Sequence, residues 1–317
     1  MEKSPKADLL VVGDLNIDFL GMIPFLPEAD EEVVVDPLES YLGGSGANFS
    51  VIATRLGLKV SFYSAIGKDA NGQALLTLVK ENGVSTDHIK LVKDLPTGMV
   101  FGVIEPSGIR RLFCFRGANL NLFPDDISDE EIATVRWLHL NGPEFNLAVD
   151  LLNRGRKLKI PTSMDPGSIL IEEHNIDEIL SLSDVLFLNE VEFQKLSEGN
   201  NYLKRADDLH QKGVNWVVVK HGSLGSVVFR ENQQPIVQNA FEIQAVDSTG
   251  AGDAFNAGFL FGILRDIEIS ETLIFANAVG ALTTLAVGAT TGVPNSVSEI
   301  EHFITHTNQK KDQLDLQ

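Results

Sequence analysis

Basic residues are scarce in this chain of 317 residues: 25 Lys and Arg stand against 44 Asp and Glu, a formal net charge of -19 at pH 7. That charge repels nucleic acid and anionic lipid surfaces, so neither is expected as a partner and small substrates are favoured. Cysteine is nearly missing. The single Cys114 excludes an intrachain disulfide, which suits a reducing compartment. No apolar run reaches the roughly 18 residues of a membrane span, and Met1–Lys6 passes straight into the short apolar run Leu9–Val12 without a leader-like segment. A cytoplasmic location is expected. Absent too are G-x-x-x-x-G-K-[ST] and G-x-G-x-x-G, which removes the main support for a P-loop NTPase or a dinucleotide-binding fold. Neither an internal repeat nor a low-complexity tract is visible.

What is present is a core-forming composition, 44% apolar, arranged as alternating strands and helices. Ala7–Gly13, Val185–Leu188 and Trp216–Val219 are continuous apolar runs, the pattern of parallel strands covered on both faces. A helix follows Asp69 and stops at Asn82-Gly83. The alternation is interrupted by two β-rich runs, Thr97–Glu105 and Ile109–Phe115, joined as a hairpin through Pro106-Ser107-Gly108. Between Pro24 and Ser40 the chain is too irregular for a helix, and a strand near Val33–Val35 is expected to protrude. The reading is therefore an α/β fold with a mostly parallel central sheet and a small β lid. Residues 1–18, 43–95 and 120–317 form the main unit, and 19–42 with 96–119 form the lid. Such a cover excludes water, a competing acceptor in group transfer. The polar tail from Thr305 is expected to fray.

The string Asp247-Ser248-Thr249-Gly250-Ala251-Gly252-Asp253-Ala254-Phe255 joins a glycine-rich turn to an apolar helix. The first amides of a helix lack intrahelical partners and carry partial positive charge, so Gly250, Ala251, Gly252 and Asp253 can bind an anion. Asp253, beside that anion, is placed to orient a hydroxyl and accept its proton. The helix terminus is expected to keep it ionised and weakly basic, which suits phosphoryl transfer, a reaction that asks more for positioning than for base strength. Ala254, Gly258 and Gly262 share a helical face that other backbone can approach. Earlier, Gly43-Gly44-Ser45-Gly46-Ala47-Asn48 opens another helix. Asn16 and Asp18 alternate with Leu15 and Ile17, so both polar side chains point one way; sugar binding and ordinary turn chemistry both explain them.

These two strings resemble the C-terminal and N-terminal signatures of the ribokinase-like (PfkB) carbohydrate kinases, and the resemblance spans nearly the whole chain. It implies a three-layer α/β/α fold and an ATP- and magnesium-dependent sugar kinase. Asp253 would be the base, residues 250–253 the anion hole, and Asn16, Asp18, Gly43, Gly44 and Asn48 the sugar site. Arg116 becomes a candidate contact for an anionic or ketose substrate. Asn189 and Glu192 fit the family's N-x-x-E motif, which holds magnesium through water, although the same spacing is a helix capping box. Lys220, Gly222 and Gly225 would line the nucleotide phosphates and Asn277 the base. Asp247 and Thr249 would belong to a possible potassium site, against which stands Gly292 in place of a common Ser ligand. Asn141 replaces a Glu common in ribokinases, which counts against ribose.

The implied substrate is a small sugar or sugar acid, fructose-, 2-keto-3-deoxygluconate- or ribose-like. A nucleoside or vitamin kinase, or a non-catalytic sugar- or nucleotide-binding regulator, are the alternatives. An exposed lid edge would suit a homodimer. Ser45 is no hydrolase nucleophile, because the elbow pattern fails at Ala47. Cys114, between two Phe, reads as structural. His302 and His306 stand i, i+4 without a third metal ligand in sight.

Overall fold

The computed structural model describes residues 5–107, 110–310, 314 and 316. Its strands in chain order are β1 Ala7–Gly13, β2 Asn16–Met22, β3 Leu38–Gly43, β4 Val60–Gly67, β5 Ile89–Val92, β6 Gly98–Ile104 and β7 Arg110–Phe115. There follow β8 Val135–Asn141, β9 Thr162–Asp165, β10 Val185–Asn189, β11 Trp216–Lys220, β12 Ser226–Arg230 and β13 Ile236–Gln238. One sheet has the order β13-β12-β11-β10-β9-β8-β1-β4-β5 and is parallel except that β12 runs against both its neighbours. The other has the order β3-β2-β6-β7.

Strands of the large sheet are apolar on both faces because both faces are covered. Leu9 and Val11 of β1 enter one buried cluster with Phe49, Phe259 and Leu273, while Leu10 and Val12 enter the opposite cluster with Leu147, Leu151 and Leu209. Alternation along one strand thus feeds two cores, and each fully buried Leu or Val adds about 1.5–3 kcal/mol. On the first face lies the helix Ala251–Leu264, packed against Ile269–Thr283. A Cβ on Gly262 would lie 2.4 Å from Thr272 Oγ1, so the expected small-residue face is where the second helix comes close. The helix Ala70–Glu81 starts on an Asp69 cap and stops at Asn82, as its sequence requires.

The smaller sheet departs from expectation in two places. β2 begins at Asn16, so residues 16–18, assigned above to the main unit, run in the smaller sheet. Val33–Val35 form no strand; the strand is Leu38–Gly43, which pairs with β2 from Leu38 opposite Gly21 to Gly43 opposite Asn16. Flanking acids and Pro37 leave the valines without a partner strand, whereas β3 is anchored by buried Leu42. The hairpin forms as β6 and β7, with Gly108 and Ile109 outside the described residues. Cys114, Phe113 and Phe115 lie exposed on edge strand β7, not in a core. The tail is held in part: Lys310 N donates to Ala240 O at 2.8 Å and Gln309 bridges Phe241. Residues 311–313, 315 and 317 lie outside the described residues.

Among the described residues no helix is long and apolar enough to cross a membrane.

Candidate active site

In an open parallel sheet, ligands gather beyond the carboxyl ends of the strands where the strand order reverses. Here the order reverses between β1 and β8, and the neighbouring strands end on polar side chains: Asn141 on β8, Asp165 on β9, Asn189 on β10 and Lys220 on β11. Registers pair Asn141 with Asp165 and Asn189 with Lys220, so these ends form one ledge.

The helix Ala251–Leu264 points its N-terminus at this ledge. Its cap, Gly250, has φ +74°, and a Cβ there would lie 2.5 Å from that of Ala289, so only glycine turns the chain in the space available. Asp253 falls in the first turn. Its Oδ2 accepts a hydrogen bond from Asn48 Nδ2 at 2.9 Å, which joins the two glycine-rich signatures across 205 residues. Burial pushes the Asp253 carboxyl up to about 7, the Asp165 charge adding to the rise while Asn48, Lys220 and Asn141 oppose it. This corrects the expectation of an ionised, weakly basic group: loss of solvent outweighs the helix terminus, and the result is a better base near neutrality.

Asp18 lies close enough to feel Asp253, and its carboxyl is likewise pushed to about 7, first by burial and then by that charge. A Cβ on Gly43 would lie 2.0 Å from Asp18 Oδ1, so the bare glycine backbone is what leaves the carboxyl its place. Asn16 is buried and accepts from Asn119 Nδ2 at 2.7 Å, and Asn119 Oδ1 receives the amide of Leu15 at 3.0 Å. Asp18 Oδ1 and Asn48 Oδ1 are buried acceptors without a partner. Such atoms cost free energy unless a ligand donates to them. Gly44, with φ +90°, starts the helix Ser45–Arg55 that carries Asn48.

On the other side of the helix N-terminus opens a cavity of about 320 Å³, lined by Gly222, Gly225, Gly252, Phe241, Asn277 and Lys310. Asn277 is pinned by its side-chain amide to Gln238 O at 3.2 Å and Asn239 O at 3.3 Å. Lys220 is buried beneath the glycine turn, its Nζ 3.3 Å from where a Cβ on Gly252 would be. It donates to Asp165 Oδ2 at 2.7 Å and Asn256 Oδ1 at 3.2 Å, and Asn256 Nδ2 donates to Asp165 Oδ2 at 2.7 Å. The pair holds Lys220 charged and Asp165 ionised, each against its own burial. Asn189 and Glu192 form a reciprocal cap: Glu192 N donates to Asn189 Oδ1, and Asn189 N to Glu192 Oε2, both at 2.9 Å. Burial and the Asp165 charge raise the Glu192 carboxyl.

Three expected residues have protein partners that the sequence did not show. Arg116 donates to Asp14 Oδ1 at 3.2 Å, Gly142 O at 3.1 Å and the Glu144 carboxylate, a set of acceptors that fixes its guanidinium by the ends of β1 and β8. Asp247 and Thr249, expected around a monovalent cation, accept from the guanidinium of Arg110, which no sequence pattern had singled out. His302 and His306 stack on each other on the last helix, ring centroids 3.9 Å apart. Also missed were Asn119, Asn256 and Lys310. Asp165 was missed as well, because it ends the short buried strand Thr162-Ser163-Met164-Asp165, which is not an apolar run.

Comparison with known proteins shows the family and the fold. The family model described as pfkB family carbohydrate kinase matches residues 6–296. Ribokinase of Haemophilus influenzae is 30% identical over 311 residues, covering 94% of this chain and 98% of that protein. An ATP-dependent ribose-1-phosphate kinase of Halopiger xanaduensis is 30% identical over 281 residues, 89% and 93% of the two chains. The structure of Arabidopsis thaliana ribokinase complexed with ribose and ATP aligns with a TM-score of 0.84 at 26% identity, covering 95% of this chain and 99% of that one. The chain belongs to the pfkB family of carbohydrate kinases. More narrowly, it is a sugar kinase built on the ribokinase fold.

Proposed function

We propose that this kinase transfers the γ-phosphoryl group of ATP to a hydroxyl of a small sugar or sugar acid, fructose-, 2-keto-3-deoxygluconate- or ribose-like. One observation carries the reading. A carboxyl pushed to about 7 stands at a helix N-terminus between buried, unpartnered acceptors on one side and a cavity of about 320 Å³ on the other. Asp18 Oδ1 and Asn48 Oδ1 both want hydrogen-bond donors, which a polyol supplies. Phe241 and the small residues around Gly280 suit the flat face of a nucleotide base.

In the reaction the sugar hydroxyl donates to Asp253. As its oxygen bonds to the γ-phosphorus, the proton passes to the carboxylate, and the bond to the β–γ bridging oxygen breaks with its electron pair leaving on ADP. The amides of 250–253 face the equatorial oxygens, and Lys220 lends positive charge behind them. Magnesium fits this donor set as an ion held mostly by water and phosphate: the nearby oxygens of Glu192 and Asn189 are hard ligands, and no cluster of three or more ligating side chains exists among the described residues. When bound it would neutralise phosphate charge. The smaller sheet, which supplies Asn16 and Asp18, is proposed as the lid, and its exposed Leu112, Phe113 and Phe115 as a homodimer contact.

The test is ADP formation with magnesium against ribose, fructose, 2-keto-3-deoxygluconate, fructose 6-phosphate and adenosine, with Asp253→Asn alongside. Turnover of one sugar, lost in a folded Asn variant, is the expected result. Full activity in that variant would remove Asp253 from the role of base.

A further inference from the structure

Arg110 takes no part in the reaction as written, yet it ties the smaller sheet to the turn before Gly250. It opens β7, the outer strand of the smaller sheet, and donates to Asp247 Oδ1 at 3.3 Å and to Thr249 Oγ1 in the turn before Gly250. Asp247 is otherwise fixed from its own side. Its Oδ1 accepts from Thr249 N at 2.9 Å and Thr249 Oγ1 at 2.7 Å, and its Oδ2 from Gly288 N at 2.9 Å. These bonds rigidify the turn, and they also hold an ionised carboxylate a few residues from amides that are to receive a phosphoryl group. An ionised acid there works against an incoming anion.

Of the other cations near the site, Lys310 lines the nucleotide cavity, away from Asp247, and two more are paired with acids of their own. Lys220 is bound to Asp165, and Arg116 to Asp14 and Glu144. Among the described residues Arg110 is the cation ion-paired with Asp247, and it faces Asp18 as well. We propose that Arg110 is a positioning residue. By neutralising Asp247 it makes the Gly250–Asp253 turn able to receive the transferring phosphoryl group. Because it is carried on the other sheet, it does so only while the smaller sheet is seated over the turn. The inference rests on the kinase reading.

The experiment compares Arg110→Met, Arg110→Lys, Asp247→Asn and the Met/Asn double variant with the wild-type protein. Two readouts are taken: kcat and KM for sugar and ATP, and the affinity for a non-hydrolysable ATP analogue by calorimetry. An uncompensated charge at this range is expected to lower kcat and analogue affinity in Arg110→Met by about tenfold or more. Arg110→Lys should recover much of the loss, and Asp247→Asn in the Met background most of it. If Arg110→Met raises only the KM of the sugar, Arg110 is a substrate contact and the proposal is overturned. Failure of Asp247→Asn to relieve the Met variant overturns it too. Should the wild-type protein phosphorylate none of the sugars, the kinase reading fails by itself, while the analogue affinities still decide the role of Arg110.

Discussion

Replacing Asp253 by Asn should make the unliganded protein more stable at pH 8 while it abolishes phosphoryl transfer. Burial holds the Asp253 carboxyl at about 7 in the fold against 3.8 for a free carboxyl. Below the lower value the group is neutral in both folded and unfolded chains and costs nothing. As pH rises from about 4 to 7 the unfolded chain releases the proton first, so stability is lost across that window and the loss is complete above it. With about 1.4 kcal/mol per pH unit, ionised Asp253 costs the free protein at most about 4 kcal/mol at pH 8. Asn has the same shape and can still accept from Asn48 Nδ2. A gain of about 1–3 kcal/mol, a rise in Tm of a few degrees, is therefore expected at pH 8 and should vanish near pH 4. Tm followed from pH 4 to pH 9 for both proteins, beside ADP release, is the assay. A difference independent of pH, or a lower Tm at pH 8, would refute the claim that this carboxyl is ionised at a cost. A stability gain without loss of turnover would keep the electrostatics and discard the base.

Lys220→Met leaves Asp165 buried without its cation and should cost about 3–5 kcal/mol in thermal or denaturant unfolding. Adding Asp165→Asn should restore part of that stability and none of the turnover. Gly43→Ala puts a Cβ where the Asp18 carboxyl lies, so steady-state kinetics should show the sugar KM raised about tenfold or more, with ADP affinity by calorimetry unchanged. Deleting residues 308–317 removes Lys310 and the strand bridge at Gln309 from one wall of the nucleotide cavity, and calorimetry should show ADP binding weakened about tenfold. Sedimentation is expected to show the wild-type protein as a dimer, and Phe113→Asp, which places a charge in the proposed contact, as a monomer at the same concentration.

What could be read in the sequence was local chemistry. Gly250 to Asp253 is legible because a helix start, its cap and its acid are consecutive, and β1 is legible because both its faces are apolar. The joining of distant residues was not. Asp165 meets Asn256 across 91 residues and Arg110 meets Asp247 across 137, and no periodicity ties such pairs together. Arg116 shows the converse. The family resemblance made it a candidate substrate contact, and only the fold supplies Asp14 and Glu144 as partners of its guanidinium. Val33–Val35 looked like a strand from β-branched residues alone, and a strand needs a partner that only the fold assigns. Asn189 and Glu192 satisfied a motif and a cap with one geometry, so their spacing could never separate the two.

A net charge of -19 makes a polyphosphate an unlikely-looking ligand, and the site resolves this locally. Asp165 is matched by Lys220, Asp247 by Arg110 and Asp14 by Arg116. Asp18 and Asp253, both pushed to about 7, carry only part of their formal charge near neutral pH. Acids elsewhere on the surface are screened beyond about 8 Å at physiological ionic strength, so they contribute little at the turn. In the proposed reaction an arriving phosphate would therefore meet a helix N-terminus, the Asp165-paired ammonium of Lys220 and, at the cavity wall, Lys310. The phosphate in turn acts on Asp253, because an added negative charge beside a half-protonated carboxyl favours its proton and would take the base out of service. Lys220, set against Gly252 and already acting to lower the Asp253 value, opposes that rise. In the proposed reaction the cation that holds Asp165 would thereby also keep Asp253 able to accept a proton when the phosphoryl donor is in place.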